Sequence, residues 1–297
     1  LKKKIYRFQL LKILFKKRRH NMSVQNVNHS LFDEQGCRIP FEGMRKFNEI
    51  SMSYYKINQP KINFEEILSN SQKYANVDSN ITAESFEYTC VELKKKIEEN
   101  FLLENLFKGV YIPFICPKSS SEKDLGAELE KVALPQVASS FKAAYPHLHC
   151  NATLQGSFQL SGRLSVSPNS RYEGFIKTHK DKTIVGWYFP QALQEYDIAS
   201  QSAQMKTLPI HKGLVLSGGL DTAAALVGSP GLLVNENDYP PVLCLSALKH
   251  VDERLMLCFK SYGQHLEFWG MSQMLTPKIT QVSEQWSGGL TLFAPID

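Results

Sequence analysis

The hydrophobic positions in the first half of the chain follow the period of a helix. Leu93, Ile97 and Phe101 recur at intervals of four residues with Glu and Lys between them, which predicts an amphipathic helix. A second stripe of this kind follows it, and Pro113 limits the short apolar segment between the two helices to the edge of a sheet. The region over residues 22–146 is therefore predicted to be mainly helical.

The hydrophobic period changes to two after residue 147. Apolar and polar side chains alternate through residues 153–166, which is typical of a strand with one buried and one solvated face. We expect a hairpin around Asp181 and a helix over residues 191–205. Residues 147–297 are predicted to form a β-rich, largely antiparallel part that packs with the helical region as one unit, so the fold class is α+β. The further strands that we expect are 213–216, 242–247, 255–259, 265–269 and 290–294.

The basic charge of the chain is concentrated in its first twenty residues. They hold nine of the Lys and Arg residues and no acid, whereas the whole chain has a net charge of +5. The rest carries 25 basic and 29 acidic side chains, a net charge of −4. We therefore expect no binding to nucleic acid, which needs cations clustered along one face.

Residues 1–21 have two interpretations. Ile5, Phe8 and Phe15 fall roughly on one helical face among cations, which is typical of a segment that contacts an anionic membrane surface. The first methionine is Met22, however, and a run rich in Lys, Ile, Phe and Leu is also what AT-rich DNA encodes upstream of a start codon. We favour the second interpretation, a basic extension that is not part of the native protein of an AT-rich bacterium.

The sequence gives no sign of a membrane span or of a secretory signal. No stretch approaches about 18 consecutive apolar residues, and the six cysteines form no Cys-x-x-Cys pair, which argues against a zinc framework or a redox motif. We expect a soluble cytoplasmic protein with reduced thiols and no metal. Secretion by a specialised route without a cleaved signal stays open.

The strongest candidate for chemistry is the segment "GLVLSGGLDTAAAL" at 213–226. A short apolar strand enters a Ser-Gly-Gly turn there, and an alanine-rich helix follows. The central part, Ser217–Thr222, resembles the PP-loop motif of the N-type ATP pyrophosphatases, the family that includes argininosuccinate synthetase and asparagine synthetase. The resemblance is confined to this loop, and it implies an enzyme that uses Mg-ATP.

The resemblance gives a role to each polar or glycine residue of the loop. The backbone amides of Gly218 and Gly219 would approach phosphate oxygens closely, because a helix start offers free N–H groups. Ser217 and Thr222 would donate hydroxyl hydrogen bonds, and Asp221 would help to hold Mg²⁺.

The same letters also describe an ordinary turn from a strand into a helix, with no cofactor. Ser-Gly-Gly-Leu occurs again at Ser287–Leu290, where nothing else suggests a phosphate site. In this interpretation Asp221 or Thr222 caps a short helix. We favour the cap and keep the ATP site as an alternative.

Histidine and cysteine residues supply two weaker candidates. His147 and His149 alternate ahead of Cys150, so both rings would point the same way on a strand, but no further metal ligand has a helpful spacing. A thiol enzyme needs a nucleophile, a base and an orienting group. Cys116 and Cys150 are candidate nucleophiles by position alone.

No complete catalytic signature is present in the sequence. We therefore expect a protein whose role is to bind another protein. The alternatives are an ATP-dependent PP-loop enzyme and a cysteine–histidine hydrolase or transferase.

Overall fold

The fold is described from a computed structural model. It covers residues 29–41, 55–119, 124–152, 159–235, 237–262, 265–272, 275–276, 279–280 and 285–296. The chain divides into a short unit, Leu1–Ser30, and a large unit, Leu31–Asp297. The large unit holds all the helices and strands named below.

Several helices begin at a polar residue whose side chain accepts a hydrogen bond from the first turn, among them those preceded by Asn63, Thr82 and Asp197. A 3₁₀ turn, Glu104–Lys108, follows the second helix, and a π-helical turn, Leu129–Ala133, joins the third to the fourth. No described helix is long and apolar enough to cross a membrane. The α-helices are α1 Phe64–Ala75, α2 Ala83–Glu98, α3 Leu125–Glu128, α4 Leu134–Ala144, α5 Tyr172–Asp181, α6 Ile198–Gln204 and α7 Gly219–Gly228.

The strands are β1 Ile112–Cys116, β2 His149–Asn151, β3 Leu164–Val166, β4 Thr183–Gln194, β5 Leu214–Leu216, β6 Val242–Cys244, β7 Leu248–His250, β8 Leu255–Tyr262, β9 His265–Ser272, β10 Leu275–Thr276, β11 Ile279–Thr280 and β12 Trp286–Ile296. The five strands predicted after residue 210 are all found, as β5, β6, β8, β9 and β12.

Eight strands form one mixed sheet in the order β1-β4-β12-β6-β8-β9-β2, and β5 also pairs with β12. The pairs β12–β6 and β2–β9 are parallel, and the others in this sheet are antiparallel. β12 has β4 along one side, and β6 and β5 in succession along the other. The α+β prediction is confirmed, and β1 lies at the sheet edge, as Pro113 predicts.

The helix α7 is buried on all sides. Each of its residues is buried, and it packs against α1, α4 and β1. Apart from Asp221 and Thr222 its residues are apolar or glycine, so the helix has no polar face for water. On the sheet itself, α2 packs against β4 and β12.

The structure corrects the hairpin predicted around Asp181. The chain forms helix α5 over Tyr172–Asp181, and β4 begins directly after it at Thr183. Tyr172, Phe175 and His179 are the buried residues of α5. Their spacing of three and four is helical, but the β-branched run of β4 dominated the pattern.

Two further predictions need correction. The helix expected over 191–205 is shorter, because β4 runs to Gln194 and α6 begins only at Ile198. Within the alternating stretch 153–166, residues 153–158 lie outside the described part, and the strand found is Leu164–Val166 after a turn. The helices are also not confined to the first half: β1 joins the common sheet, and α5, α6 and α7 lie in the second half.

Candidate functional site

Three side chains with the chemistry of a thiol enzyme meet at one cleft. Cys116 ends β1, His179 lies in the last turn of α5, and Glu128 ends α3. The sulfur of Cys116 lies 3.6 Å from Nδ1 of His179, and Nε2 of the same ring lies 3.7 Å from Oε1 of Glu128. The imidazole therefore lies between a thiol and a carboxylate, with one ring nitrogen facing each.

The cleft has a volume of about 260 Å³. Cys116 and His179 are each 5% exposed, so the pair is largely shielded from bulk water. Asn76, Gln136 and Lys118 are polar residues of the lining. The remaining lining side chains are mostly small or apolar: Ala75, Val132, Ala133, Leu220, Ala223 and Ala224.

The position of Cys116 follows from its place at the end of an edge strand. In the antiparallel ladder with β4 it lies opposite Ile184. Pro117 follows and has no amide hydrogen, so the ladder stops there. The amide of Ser119 then donates to the carbonyl oxygen of His179 at 2.8 Å, which ties the segment after the cysteine to the helix that carries the histidine.

His179 lies on the buried face of α5, where aromatic rings pack against it. The rings of Tyr172 and Phe175 are stacked with centroids 5.0 Å apart, and the rings of Phe175 and His179 are stacked at 6.2 Å. Just before the helix, the guanidinium group of Arg171 donates to three backbone carbonyl oxygens, those of Met205, Leu208 and Pro209. These contacts fix both ends of the helix.

Glu128 is positioned by a turn that packs closely on α3. Asp124 caps the helix through its carboxylate, and the carboxylate of Glu130 accepts the amide hydrogen of Leu160 at 2.8 Å. A Cβ atom at Gly126 would overlap the carbonyl oxygen of Leu160. Only glycine allows this approach, so Gly126 is part of the support of Glu128.

The π-helical turn Leu129–Ala133 begins directly after Glu128. Such turns are rare, and they are frequent at functional sites because they change the direction of the side chains that follow. Val132 and Ala133 from this turn line the cleft beside Glu128.

The charges around His179 favour its protonated form. Burial by itself lowers the pKa of His179, but Cys116 and Glu128 on the two sides of the ring outweigh this effect and raise the pKa to about 10. The separation of 3.7 Å from Glu128 is that of an ion pair rather than of a hydrogen bond. An imidazolium group beside a cysteine sulfur is the general arrangement of reactive thiols.

The loop Ser217–Thr222 is buried, and the side chains of Ser217 and Asp221 are hydrogen-bonded within the protein. The carboxylate of Asp221 accepts hydrogen bonds from the hydroxyl of Tyr172 at 2.8 Å, the amide of Gly218 at 2.9 Å and the hydroxyl of Thr291 at 2.5 Å. Asp221 therefore caps the start of α7, as the favoured interpretation of the sequence expects.

The two glycines of this loop are packed against side chains. A Cβ at Gly218 would lie 2.5 Å from the ring of Tyr172, and one at Gly219 would lie 2.8 Å from Leu129. The two Ser-Gly-Gly-Leu segments also meet, because the amide of Ser217 donates to the carbonyl oxygen of Gly289 at 3.0 Å. An ATP site formed by Ser217, Gly218, Gly219, Asp221 and Thr222 stays a prediction.

The other candidate residues lie apart from the cleft. His149 on β2 is paired with His265 on β9, with ring centroids 5.4 Å apart. Burial raises the pKa of the half-buried Cys150 thiol. In the part of the chain that the structure describes, no group of three or more His, Cys, Asp or Glu side chains is placed to hold a metal ion.

Of the residues at the cleft, the sequence predicted Cys116 as a candidate and missed His179 and Glu128. The helical spacing of Tyr172, Phe175 and His179 was the available signal. Comparison with protein-family models, with characterised proteins and with solved structures gave no match. The function is therefore inferred from the cleft itself.

Proposed function

We propose that the protein is a cysteine-dependent hydrolase or acyl transferase with Cys116 as its nucleophile. The observation that carries the proposal is the position of the His179 ring, 3.6 Å from the sulfur on one side and 3.7 Å from Glu128 on the other. A nucleophile, a base and an orienting group in this order define the arrangement of activated thiols. All three residues line the cleft, through which we propose that a substrate reaches the sulfur.

The proposed reaction has two stages. In the first, the sulfur of Cys116 attacks a carbonyl carbon and a carbon–sulfur bond forms. The bond to the leaving group then breaks, and the imidazolium of His179 donates its proton to that group. In the second, His179 takes a proton from water or an acceptor molecule, whose oxygen or nitrogen attacks the thioester carbon. The carbon–sulfur bond breaks and its electron pair returns to Cys116.

The oxygen that becomes negative during attack needs hydrogen-bond donors. The backbone amides just after the nucleophile are engaged elsewhere, because Lys118 donates to the hydroxyl of Thr183 at 3.3 Å and Ser119 donates to the carbonyl of His179. Asn76 and Gln136, residues whose side chains carry amide groups, line the cleft. We assign the stabilisation of the oxyanion to these two side chains.

The size of the cleft limits the substrate. Its volume of about 260 Å³ lies near the low end for small-molecule sites, and the methyl groups of Ala133, Ala223 and Ala224 form part of the wall. We therefore propose short, unbranched acyl groups, carried as an ester or thioester, as the class of substrate.

Limited alkylation with iodoacetamide followed by peptide mapping tests the proposal. Cys37 and Cys150 are more exposed than Cys116, so accessibility alone makes Cys116 the slower of the three to react. The proposal predicts that Cys116 reacts first, and that His179→Ala removes this advantage. The variant His265→Ala, at an exposed histidine outside the cleft, serves as the control.

A further inference from the structure

A second and larger cavity lies on another side of α5. It has a volume of about 720 Å³ and runs between α2, α5 and the end of β12. We call it the α2–α5 groove. It shares no lining residue with the cleft at Cys116, so an argument about its ligand does not depend on the proposed thiol chemistry.

The floor of the α2–α5 groove is apolar. Leu93 and Phe293 are buried side chains that reach its surface, and Pro295 continues the floor along β12. At Gly174, on α5, no atom lies within 4 Å of the position that a Cβ would take. The groove is therefore open above this helix, and its volume is in the range of sites for small molecules.

The rim of the groove is cationic. Lys96 on α2, Lys177 on α5 and Lys212 ahead of β5 are exposed lining residues. Lys182 adds a fourth ammonium group, and Asp181 is the acidic residue of the lining. The lysines therefore outnumber the carboxylate, and a ligand with a negative charge would be attracted to the rim.

We propose that the α2–α5 groove binds a single-chain anionic amphiphile, a free long-chain fatty acid. The alkyl chain lies along Leu93 and Phe293, and the carboxylate lies among Lys96, Lys177 and Lys212. An apolar floor distinguishes this ligand from an inorganic anion or a nucleic acid, which would leave that floor in water. Lysines that surround a cavity favour an inserted ligand over a flat membrane surface, which they would contact only at the rim.

Titration with cis-parinaric acid, a fluorescent fatty acid, tests the proposal on the full chain. We expect saturable binding that oleate displaces, and about tenfold weaker displacement by oleyl alcohol, because the alcohol lacks the charge that the lysines recognise. The double variant Lys177→Ala/Lys212→Ala should also bind the probe about tenfold more weakly. Lys180→Ala, on the same helix but outside the groove, should bind like the wild type.

A variant that fills the groove gives the sharpest comparison. Gly174→Trp should abolish binding, whereas Gly174→Ala should keep it, and both should fold because the Cβ position is open and glycine is a poor helix former. Cys116→Ser should bind like the wild type, which separates this site from the thiol chemistry. The proposal is overturned by the absence of saturable binding, by equal displacement by the alcohol, by full binding in a folded Gly174→Trp protein, or by binding only to anionic vesicles.

Discussion

The sulfur of Cys116 and Nδ1 of His179 lie 3.6 Å apart although the residues are 63 positions apart in the chain. The sheet explains this contact. α5 ends at Asp181 and β4 begins at Thr183, so the first residues of β4 lie next to the end of the helix. Ile184 of β4 is the partner of Cys116 in the ladder with β1. Pairing of the two strands thus brings the thiol beside the histidine.

The preference of alkylation for Cys116 should depend on pH. Ordinary thiols ionise near pH 8.5, and burial raises the pKa of Cys150 further. His179 keeps its proton up to a pH of about 10, so a positive charge stays beside the sulfur of Cys116 below that pH. We expect the ratio of Cys116 to Cys150 labelling to be largest near pH 6 and to fall toward pH 10. A ratio that does not change over this range would contradict the assigned role of His179.

Glu128→Gln should weaken the preference of alkylation for Cys116 without removing it. Glu128 is one of the groups that raise the pKa of His179, so its loss lets the imidazole give up its proton at lower pH. We expect the alkylation rate of Cys116 to fall at about pH 9, whereas at about pH 7 the imidazole stays protonated even if its pKa drops by a full unit from about 10. The pH at which the preference is lost should also move downward.

This downward shift distinguishes a positioning role of Glu128 from a purely structural one. Glu99→Gln, at an exposed acid on the C-terminal side of α2, is the control and should leave both the rate and the pH profile unchanged. A Glu128→Gln protein with a slower rate but the wild-type pH profile would show that Glu128 acts only by packing.

Gly126→Ala should disturb the position of Glu128 at the cleft, although Gly126 does not line the cleft. The added methyl group overlaps the carbonyl oxygen of Leu160, so either α3 or the turn at Leu160 must move. Overpacking of this kind costs about 1–3 kcal/mol. We expect a lower thermal midpoint together with slower alkylation of Cys116. Gly174→Ala, which meets no neighbour, should not lower the thermal midpoint and should leave the alkylation rate unchanged, and an unaltered Gly126→Ala protein would contradict the support assigned to Gly126.

Asp221 should couple the stability of the protein to pH. Burial raises the pKa of this carboxyl group, and hydrogen bonds from Thr291, Tyr172 and Gly218 reduce the increase. The carboxyl group of Asp221 therefore loses its proton at a lower pH in the unfolded state than in the folded state. The wild type is therefore destabilised as the pH rises from about 4 to the pKa of the folded protein, and an asparagine at this position removes that dependence.

Urea denaturation of Asp221→Asn at pH 4 and pH 7 measures this coupling. The variant loses a hydrogen-bond acceptor in a buried network, so we expect it to be less stable by about 1–3 kcal/mol. The loss of stability in the variant should be larger at pH 4, where Asp221 contributes most to the stability of the wild type. Glu84→Gln, at an exposed acid, controls for the general effect of charge. A stability difference between the wild type and Asp221→Asn that grows with pH would contradict this prediction.

The sequence allowed the prediction of elements whose signal is local. The helix with Leu93 and Ile97, the strands after residue 210 and the edge position of β1 all follow from spacing or from Pro113. The helix α5 was missed because its buried face includes His179, a polar residue, and because the strong strand signal of β4 follows at once. The sequence around Glu128 is typical of a solvent-exposed position on a helix. The turn at Leu160 and the π-helical turn bring Glu128 to the cleft.

The contact between Cys116 and His179 could not be predicted from the sequence, for a different reason. It depends on the pairing of β1 with β4, which joins segments far apart in the chain, and a single sequence carries no local signal for such a pairing. By contrast, the cap formed by Asp221 is local, because its partner Gly218 lies three residues away, and the sequence predicted it.

Detection of an acyl-enzyme is the most direct test of the proposed chemistry. The protein is mixed with p-nitrophenyl acetate, quenched in acid and analysed by intact mass and peptide mapping. The proposal predicts one acetyl group on Cys116, none in Cys116→Ser, and a strongly reduced yield in His179→Ala with the same folded spectrum as the wild type. Acetylation spread over lysines without a modified Cys116, or an equal yield on Cys116 in folded His179→Ala, would contradict it.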